Sequence, residues 1–389
     1  MWFPPDDSIG PVENHASGKR IRLGYFSADF HEHATMYLMA GLFELHDRER
    51  FELFAFSFGP ETADGMRERV SRCFTRFIDA RSMTDLDVAR LARGIGIDIA
   101  IDLKGYTTDA RPGIFACRAA PLQVAYLGYP GSVGAEYVDH LIADRTVIPE
   151  AEARHYREQL VYLPGCYQVN DHTRTIADKS FSREELGLPA RAVVLCAFNN
   201  NYKITPAMFD VWCRILGAAP DSCLWLLVGN AQAEANLQRE ALARGVDSTR
   251  LVFAPRMPLA DHLARLRAAD LFLDTFPCNA HTTASDALRA GLPLLTLAGK
   301  SFASRVAASL LQAAGLPELI TTSLEAYEQL ALAFAADPER LLALRAQLVA
   351  NREQSSLFDT PRFVRSFESV LQEIHAHRMA GASLPEMPL

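Results

Sequence analysis

The segment LFLDTFPCNAHTTASDALRAGLP (271–293) sets four polar residues behind one apolar run. The run ends near Phe276, a Pro-Cys-Asn-Ala turn follows, and a helix is expected to open at His281, Thr282 and Thr283. A helix N-terminus carries unsatisfied N–H groups and the positive end of the backbone dipole, which suits a diphosphate. Thr282 and Thr283 add hydroxyl donors there, and Asp286, one turn beyond Thr282, is within reach of ribose hydroxyls. A second reading uses the same letters. Thr283-x-x-Asp286 is also a capping pattern that only finishes a helix, and the residues leave both readings open.

Other segments carry comparable chemistry. In FNNNYKITP (198–206) an apolar strand breaks into three asparagines, Tyr202 and Lys203. Amides read base or sugar edges, and a lysine there neutralises a departing phosphate, unless it is only a solvated loop lysine. SADFHEH (27–33) gathers Asp29, His31 and His33. His-x-His suggests a metal, but no further ligand cluster completes a site; a base, a sugar contact or simple helix capping remain. LGYPGSVG (127–134) spaces glycines at 128, 131 and 134 around Pro130, for close approach to a ligand or only a tight turn. GKS (299–301) lacks the upstream glycine of a Walker loop because position 294 is leucine. Asp85-Leu86-Asp87 opens an amphipathic helix, where acidic first-turn residues are expected without any metal.

The elements that must hold these loops alternate. IRLGYF (21–26), FELFAFSF (51–58), IDIAIDLKG (97–105), LQVAYLG (122–128) and EQLVYLPG (158–165) read as strands, with a helical period over 84–96. A second series begins near residue 190: strands at 192–198, 223–229, 250–255, 271–276 and 293–299, with helices at 206–217 and 259–270. Such alternation predicts right-handed crossovers and parallel sheets covered on both faces. Two series in 389 residues predict two doubly wound α/β units. Ligands of such sheets sit beyond the carboxyl ends of the strands, where the singled-out loops fall.

The expected organisation is a polar tether or irregular cap over 1–20, a first half over 21–185, a second over 186–360, a C-terminal helix over 361–379 and a tail over 380–389. That helix shows an apolar stripe at Phe363, Phe367, Val370, Leu371 and Ile374. The seven cysteines form no Cys-x-x-Cys pair and read as reduced core residues. A net charge of −8 without a basic run argues against nucleic acid or an anionic membrane as partner. The first residues lack the basic start and apolar run of a signal peptide, so a cytoplasmic location is the default expectation.

Taken together, DTFPCNAHTTASDALRAGLPLLTL (274–297) and SFASRVAASLL (301–311) resemble the donor-binding core of the protein O-GlcNAc transferase family. GYFSADFHEHATMYLM (24–39), 105–134 and FNNNYKITP are similar to other stretches of that catalytic region, in order, and the resemblance covers residues 20–378. It implies the GT-B arrangement, two Rossmann-like halves facing across a cleft. It also implies UDP-GlcNAc as donor, a protein Ser/Thr hydroxyl as acceptor, and an inverting reaction with neither metal nor cofactor. By the same resemblance Lys203 binds the diphosphate and supports the leaving group, and His33 lies near the reacting centre as a disputed base. His281, Thr282 and Thr283 match phosphate-side residues, and Asp286 the ribose aspartate. His262 and Arg265 match residues lining the nucleotide pocket, and Gly128 and Pro130 the loop beside the donor sugar. Asn200 stands where animal enzymes carry glutamine, and Leu259 where they carry a pocket lysine. No tetratricopeptide periodicity and no large insert between the halves is visible. The alternatives are a relative using glucose or fucose or another acceptor, a sugar-nucleotide epimerase, and a non-catalytic nucleotide-binding module.

Overall fold

The structure, a computed structural model, describes residues 3–14, 20–227, 229–352 and 355–381. The chain divides into two compact units, Met1–His172 with Asp359–Leu389, and Thr173–Phe358.

In the first unit seven strands form one parallel sheet: β1 (Ile21–Ser27), β2 (Phe51–Ser57), β3 (Arg76–Asp79), β4 (Ile99–Asp102), β5 (Leu122–Ala125), β6 (His140–Ala143) and β7 (Gln159–Tyr162). Helices α1 (Ala34–Leu45), α2 (Gly65–Ser71), α3 (Asp85–Ile95) and α4 (Pro112–Ala116) lie between them. The spatial order is β3-β2-β1-β4-β5-β6-β7. The chain leaves β1 towards one edge and β4 towards the other, so the switch point lies between their carboxyl ends. Both strands are apolar because both faces are covered; Phe26 and Phe56 stack face to face at 4.3 Å. The apolar runs of the sequence recover β1, β2, β4, β5 and β7. The half-exposed β3 carries too little apolar signal to stand out, and the buried β6, HLIA, is not among the expected strands.

The second unit repeats the plan with β8 (Val193–Ala197), β9 (Ser222–Leu227), β10 (Leu251–Ala254), β11 (Leu271–Leu273), β12 (Leu294–Leu297) and β13 (Ile320–Thr321). Its helices are α5 (Pro206–Ala218), α6 (Ala231–Ala243), α7 (Leu259–Arg265), α8 (Thr282–Arg289), α9 (Val306–Ala314), α10 (Leu324–Ala336) and α11 (Pro338–Asn351). The order β10-β9-β8-β11-β12-β13 places the switch point between β8 and β11.

The division of the chain differs from the expected 185/186 and 360/361 limits. It falls after His172 and after Phe358, and the last helix, α12 (Thr360–Met379), belongs to the first unit. Its apolar stripe explains this return: Phe367, Leu371 and Ile374 are buried, and Phe367 lies 4.9 Å from the Tyr126 ring. The buried Glu368 carboxylate bonds His46 Nδ1 at 2.8 Å, and His46 Nε2 meets the Tyr25 hydroxyl at 2.7 Å. Contacts this remote in sequence leave no trace in local periodicity. The N-terminal residues described are docked rather than tethered: Arg93 Nη1 donates to the carbonyls of Ile9 (3.1 Å) and Gly10 (2.8 Å), and Asp6 N donates to Ala116 O. Residues 382–389, most of the expected tail, lie outside the described residues.

Candidate active site

At the second unit's switch point the loop after β8 meets the turn after β11. Asn199, buried, donates through Nδ2 to Thr275 Oγ1 at 2.9 Å, and its Oδ1 accepts from Thr283 Oγ1 at 2.7 Å. Asp274, fully buried at the end of β11, accepts from Ala280 N (2.6 Å), Thr275 N (2.7 Å) and Thr296 Oγ1 (2.6 Å). Burial pushes the Asp274 carboxyl up to about 6, against the pull of these donors. Asn279 Nδ2 donates to Thr275 O at 3.0 Å. These bonds fix the turn, and with it the start of α8. Asn199 and Asp274 belong to this candidate site and are not among the residues singled out from the sequence. Their signal is position: a small polar side chain directly after an apolar strand.

Helix α8 opens at Thr282, with His281 at the N-cap making no side-chain cap. The Thr283 hydroxyl is committed to Asn199 and the Asp286 carboxylate to Arg174, so the capping reading of Thr283-x-x-Asp286 does not hold. Instead the helix presents its N-terminal N–H groups without a capping side chain, the state that favours an anion. Lys203 Nζ, from the short turn Asn201–Lys203, donates to Asn279 O at 2.7 Å. Burial, then the nearby Lys203 charge, push His281 down to about 3, so its imidazole is neutral. His281 Nε2 meets Ala303 O at 3.3 Å; a carbonyl only accepts, so that nitrogen carries the proton. Lys203, His281, Thr282 and Thr283 therefore gather around one helix terminus.

The remaining candidates of this unit separate by role. Asn200 is exposed, and its Nδ2 meets the hydroxyl of the equally exposed Tyr202 at 3.4 Å; the neighbouring Asn199, not Asn200, is built into the network. Arg265 is fully buried: Nη1 donates to Pro255 O at 2.5 Å, Nη2 lies 2.8 Å from His262 Nδ1, and the guanidinium stacks 4.9 Å from the Phe198 ring. Desolvation lowers Arg265 to about 10. Burial and then the Arg265 charge lower His262 to about 4. Arg265 thus holds His262 neutral with Nδ1 as acceptor, leaving Nε2–H as its donor. Asp286 is buried, with Oδ1 2.6 Å from Arg174 Nη1.

On the first unit, His33, Gly128 and Pro130 lie on loops beyond strand carboxyl ends. His33 is the N-cap of α1 and accepts from Thr35 N at 3.2 Å through Nδ1. Asp29 Oδ2 stands 3.5 Å from the same nitrogen. Burial, opposed by Asp29 and assisted by Lys104, lowers the His33 pKa. In the neutral ring the proton therefore sits on Nε2. Buried Lys104 donates to both Asp29 oxygens at 2.9 Å across this unit's switch point. Its sequence signal is a lysine closing the apolar run IDIAIDLKG. Among the described residues no group of three or more His, Cys, Asp or Glu side chains could hold a metal, and His31 and His33 gain no such partner. Gly128 answers a backbone crossing: a Cβ there would stand 1.8 Å from Leu103 O, so no side chain fits. Pro130 is half-buried in the same loop. The loop is pinned by buried Glu158, which accepts from Ser132 Oγ (2.5 Å), Val133 N (2.6 Å) and Gly134 N (3.1 Å).

A family model described as glycosyl transferase family 41 matches residues 9–182 and 178–367. The chain belongs to glycosyl transferase family 41. It is 39% identical over 364 residues to an Arabidopsis thaliana protein named a probable UDP-N-acetylglucosamine–peptide N-acetylglucosaminyltransferase, SEC, covering 92% of this chain and 37% of that protein. A Caenorhabditis elegans UDP-N-acetylglucosamine–peptide N-acetylglucosaminyltransferase is 28% identical over 477 residues, covering 94% of this chain and 41% of that one. This family 41 chain thus spans about two fifths of the length of those relatives. Among solved structures, a mutant of the Thermobaculum terrenum O-GlcNAc transferase superposes with a TM-score of 0.86 at 30% identity, covering 98% of this chain and 71% of that one. Anabaena HepE, solved with UDP and glucose, shares the fold alone: TM-score 0.62, 14% identity, 91% of this chain and 100% of that one. The two parallel sheets with interleaved helices are those of GT-B glycosyltransferases.

Proposed function

We propose that this family 41 chain transfers GlcNAc from UDP-GlcNAc to Ser or Thr hydroxyls of proteins, with inversion. The observation that carries the reading is the uncapped N-terminus of α8 with Lys203 and neutral His281 beside it. The names of its relatives agree with it. The acceptor oxygen attacks sugar C1 and the C1–O bond to the β-phosphate breaks. The bonding pair leaves on UDP, where Lys203 and the helix N–H groups stabilise it. Such preorganised donors are worth roughly 10²–10³ in rate each. Asp286 meets the ribose, and His262 Nε2–H and the 200–203 loop face the nucleotide.

His33, with its proton on Nε2, donates a hydrogen bond to substrate. It takes up the acceptor's proton at Nε2 only in the other tautomer, in which the ring proton has moved to Nδ1 and is donated to Asp29 Oδ2 in place of the bond accepted from the Thr35 amide. The proposed scheme runs through this chain's own side chains and helix N–H groups, with no part for a metal or cofactor. No helix among the described residues is long and apolar enough to cross a membrane. With the net charge of −8, this supports a cytoplasmic enzyme whose partners are a UDP-sugar and a protein, not nucleic acid or a bilayer.

Incubating the chain with labelled UDP-GlcNAc, EDTA and a cell lysate tests the reading. Label on protein Ser or Thr is the expected result. No transfer, or transfer restored only by a divalent ion, overturns it.

A further inference from the structure

Helix α8 grips residue 174 twice. Asp286 Oδ1 accepts from Arg174 Nη1 at 2.6 Å, and Arg289, three residues further along the same helix, donates through Nε to the Arg174 carbonyl at 3.0 Å. The Arg174 side chain is only 2% exposed, yet its Nε and Nη2 are buried without a hydrogen-bond partner. A guanidinium left two donors short in the interior is a costly arrangement. Packing alone does not account for it, since an apolar side chain of that size avoids the cost. What Arg174 does accomplish is charge compensation. Burial raises the Asp286 pKa and the Arg174 charge opposes that shift. The ion pair engages Oδ1 and leaves Oδ2 without a partner among the described residues.

We propose that Arg174 is a positioning residue for donor recognition, fixing Asp286 as a charged acceptor whose free Oδ2 takes hydrogen bonds from the vicinal hydroxyls of a ribonucleotide ribose. The proposal rests on the reading of the α8 N-terminus as the nucleotide site. It makes Arg174 the residue through which the site distinguishes a ribose from a sugar lacking those hydroxyls. Lysine is a poor replacement, because the rigid guanidinium fork sets the orientation of the carboxylate.

Calorimetry with UDP and 2′,3′-dideoxy-UDP tests it on the wild type, Arg174→Met, Arg174→Lys, Asp286→Asn and the Arg174→Met/Asp286→Asn double variant. The wild type is expected to prefer UDP by roughly tenfold or more, the effect of one hydrogen bond to a charged group. Arg174→Met and Asp286→Asn should each erase most of that preference, and Arg174→Lys part of it. The double variant, which leaves no lone buried charge, should discriminate no worse than either single one. A folded Arg174→Met protein that keeps the wild-type preference overturns the proposal. So does one that weakens UDP and dideoxy-UDP equally, the mark of a merely structural role. A wild type that binds UDP without preference defeats the proposal alone; one that binds no UDP defeats the donor-site reading and the proposal with it.

Discussion

Lys203 Nζ donates to the carbonyl oxygen of Asn279 at 2.7 Å, joining the loop after β8 to the turn after β11 beside the first residues of α8. One of the three ammonium protons is used in this tie, and two remain for a ligand. In the proposed reaction the charge of the departing diphosphate would appear beside this ammonium, which would then favour the transition state over the ground state. Lys203→Ala is therefore expected to lower kcat by about 10²-fold or more, with UDP affinity changed far less. Steady-state kinetics beside UDP calorimetry check this. Near-normal turnover would leave Lys203 only the structural tie to Asn279.

Asn199 holds the Thr283 and Thr275 hydroxyls at once. Asn199→Ala removes both bonds. Thr275 Oγ1 still donates to Cys278 O at 2.7 Å, but the half-buried Thr283 hydroxyl loses its acceptor, at a cost of about 1 kcal/mol, and the start of α8 loosens. Urea unfolding should show the loss through Trp212 and Trp225, both buried in the second unit. UDP binding should weaken in parallel. Asn200→Ala, by contrast, should change stability little, because Asn200 is exposed.

The N-cap bond from Thr35 N to His33 Nδ1 separates two roles for that imidazole. Asparagine also caps helices well, so His33→Asn should keep the stability of α1, whereas His33→Ala should lose about 1 kcal/mol. If His33 only donates a hydrogen bond, His33→Asn should cost less than tenfold in kcat. A loss of 10²-fold or more at unchanged melting temperature would assign it the general base, since that contribution is typically 10²–10⁴-fold.

His262 and His281, lowered by burial to about 4 and about 3, make stability depend on pH with a definite sign. Between those values and the ordinary 6.5 the unfolded chain binds protons that the folded chain does not. Their contribution is thus fully present above 6.5, declines as pH falls from 6.5 towards about 4 and about 3, and levels off below those values. Each imidazole adds a slope of at most about 1.4 kcal/mol per pH unit. His262→Gln or His281→Gln should flatten the wild-type slope between pH 4 and 6.5, measured by urea unfolding at fixed pH steps. An unchanged slope would mean that the imidazole titrates normally in the folded protein.

The sequence alone determined the two α/β series, most strands, and the loops that end at strand carboxyl termini. These follow from the length and apolarity of the runs and from local turn residues, which act over a few positions. It also singled out LFLDTFPCNAHTTASD and FNNNYKITP as candidate segments, because both set polar residues directly after apolar strands, while leaving the capping and solvated-loop readings open. Tertiary structure decided what periodicity cannot encode. It set which of three adjacent asparagines turns inward, that Thr283 and Asp286 bond Asn199 and Arg174 instead of capping α8, and that Arg265 is a buried prop for His262. It also returned α12 to the first sheet through Glu368 and His46, 322 positions apart. Each depends on a partner brought close by crossover connections, and the free energy of burying a charge or an amide is settled only when that partner is in place.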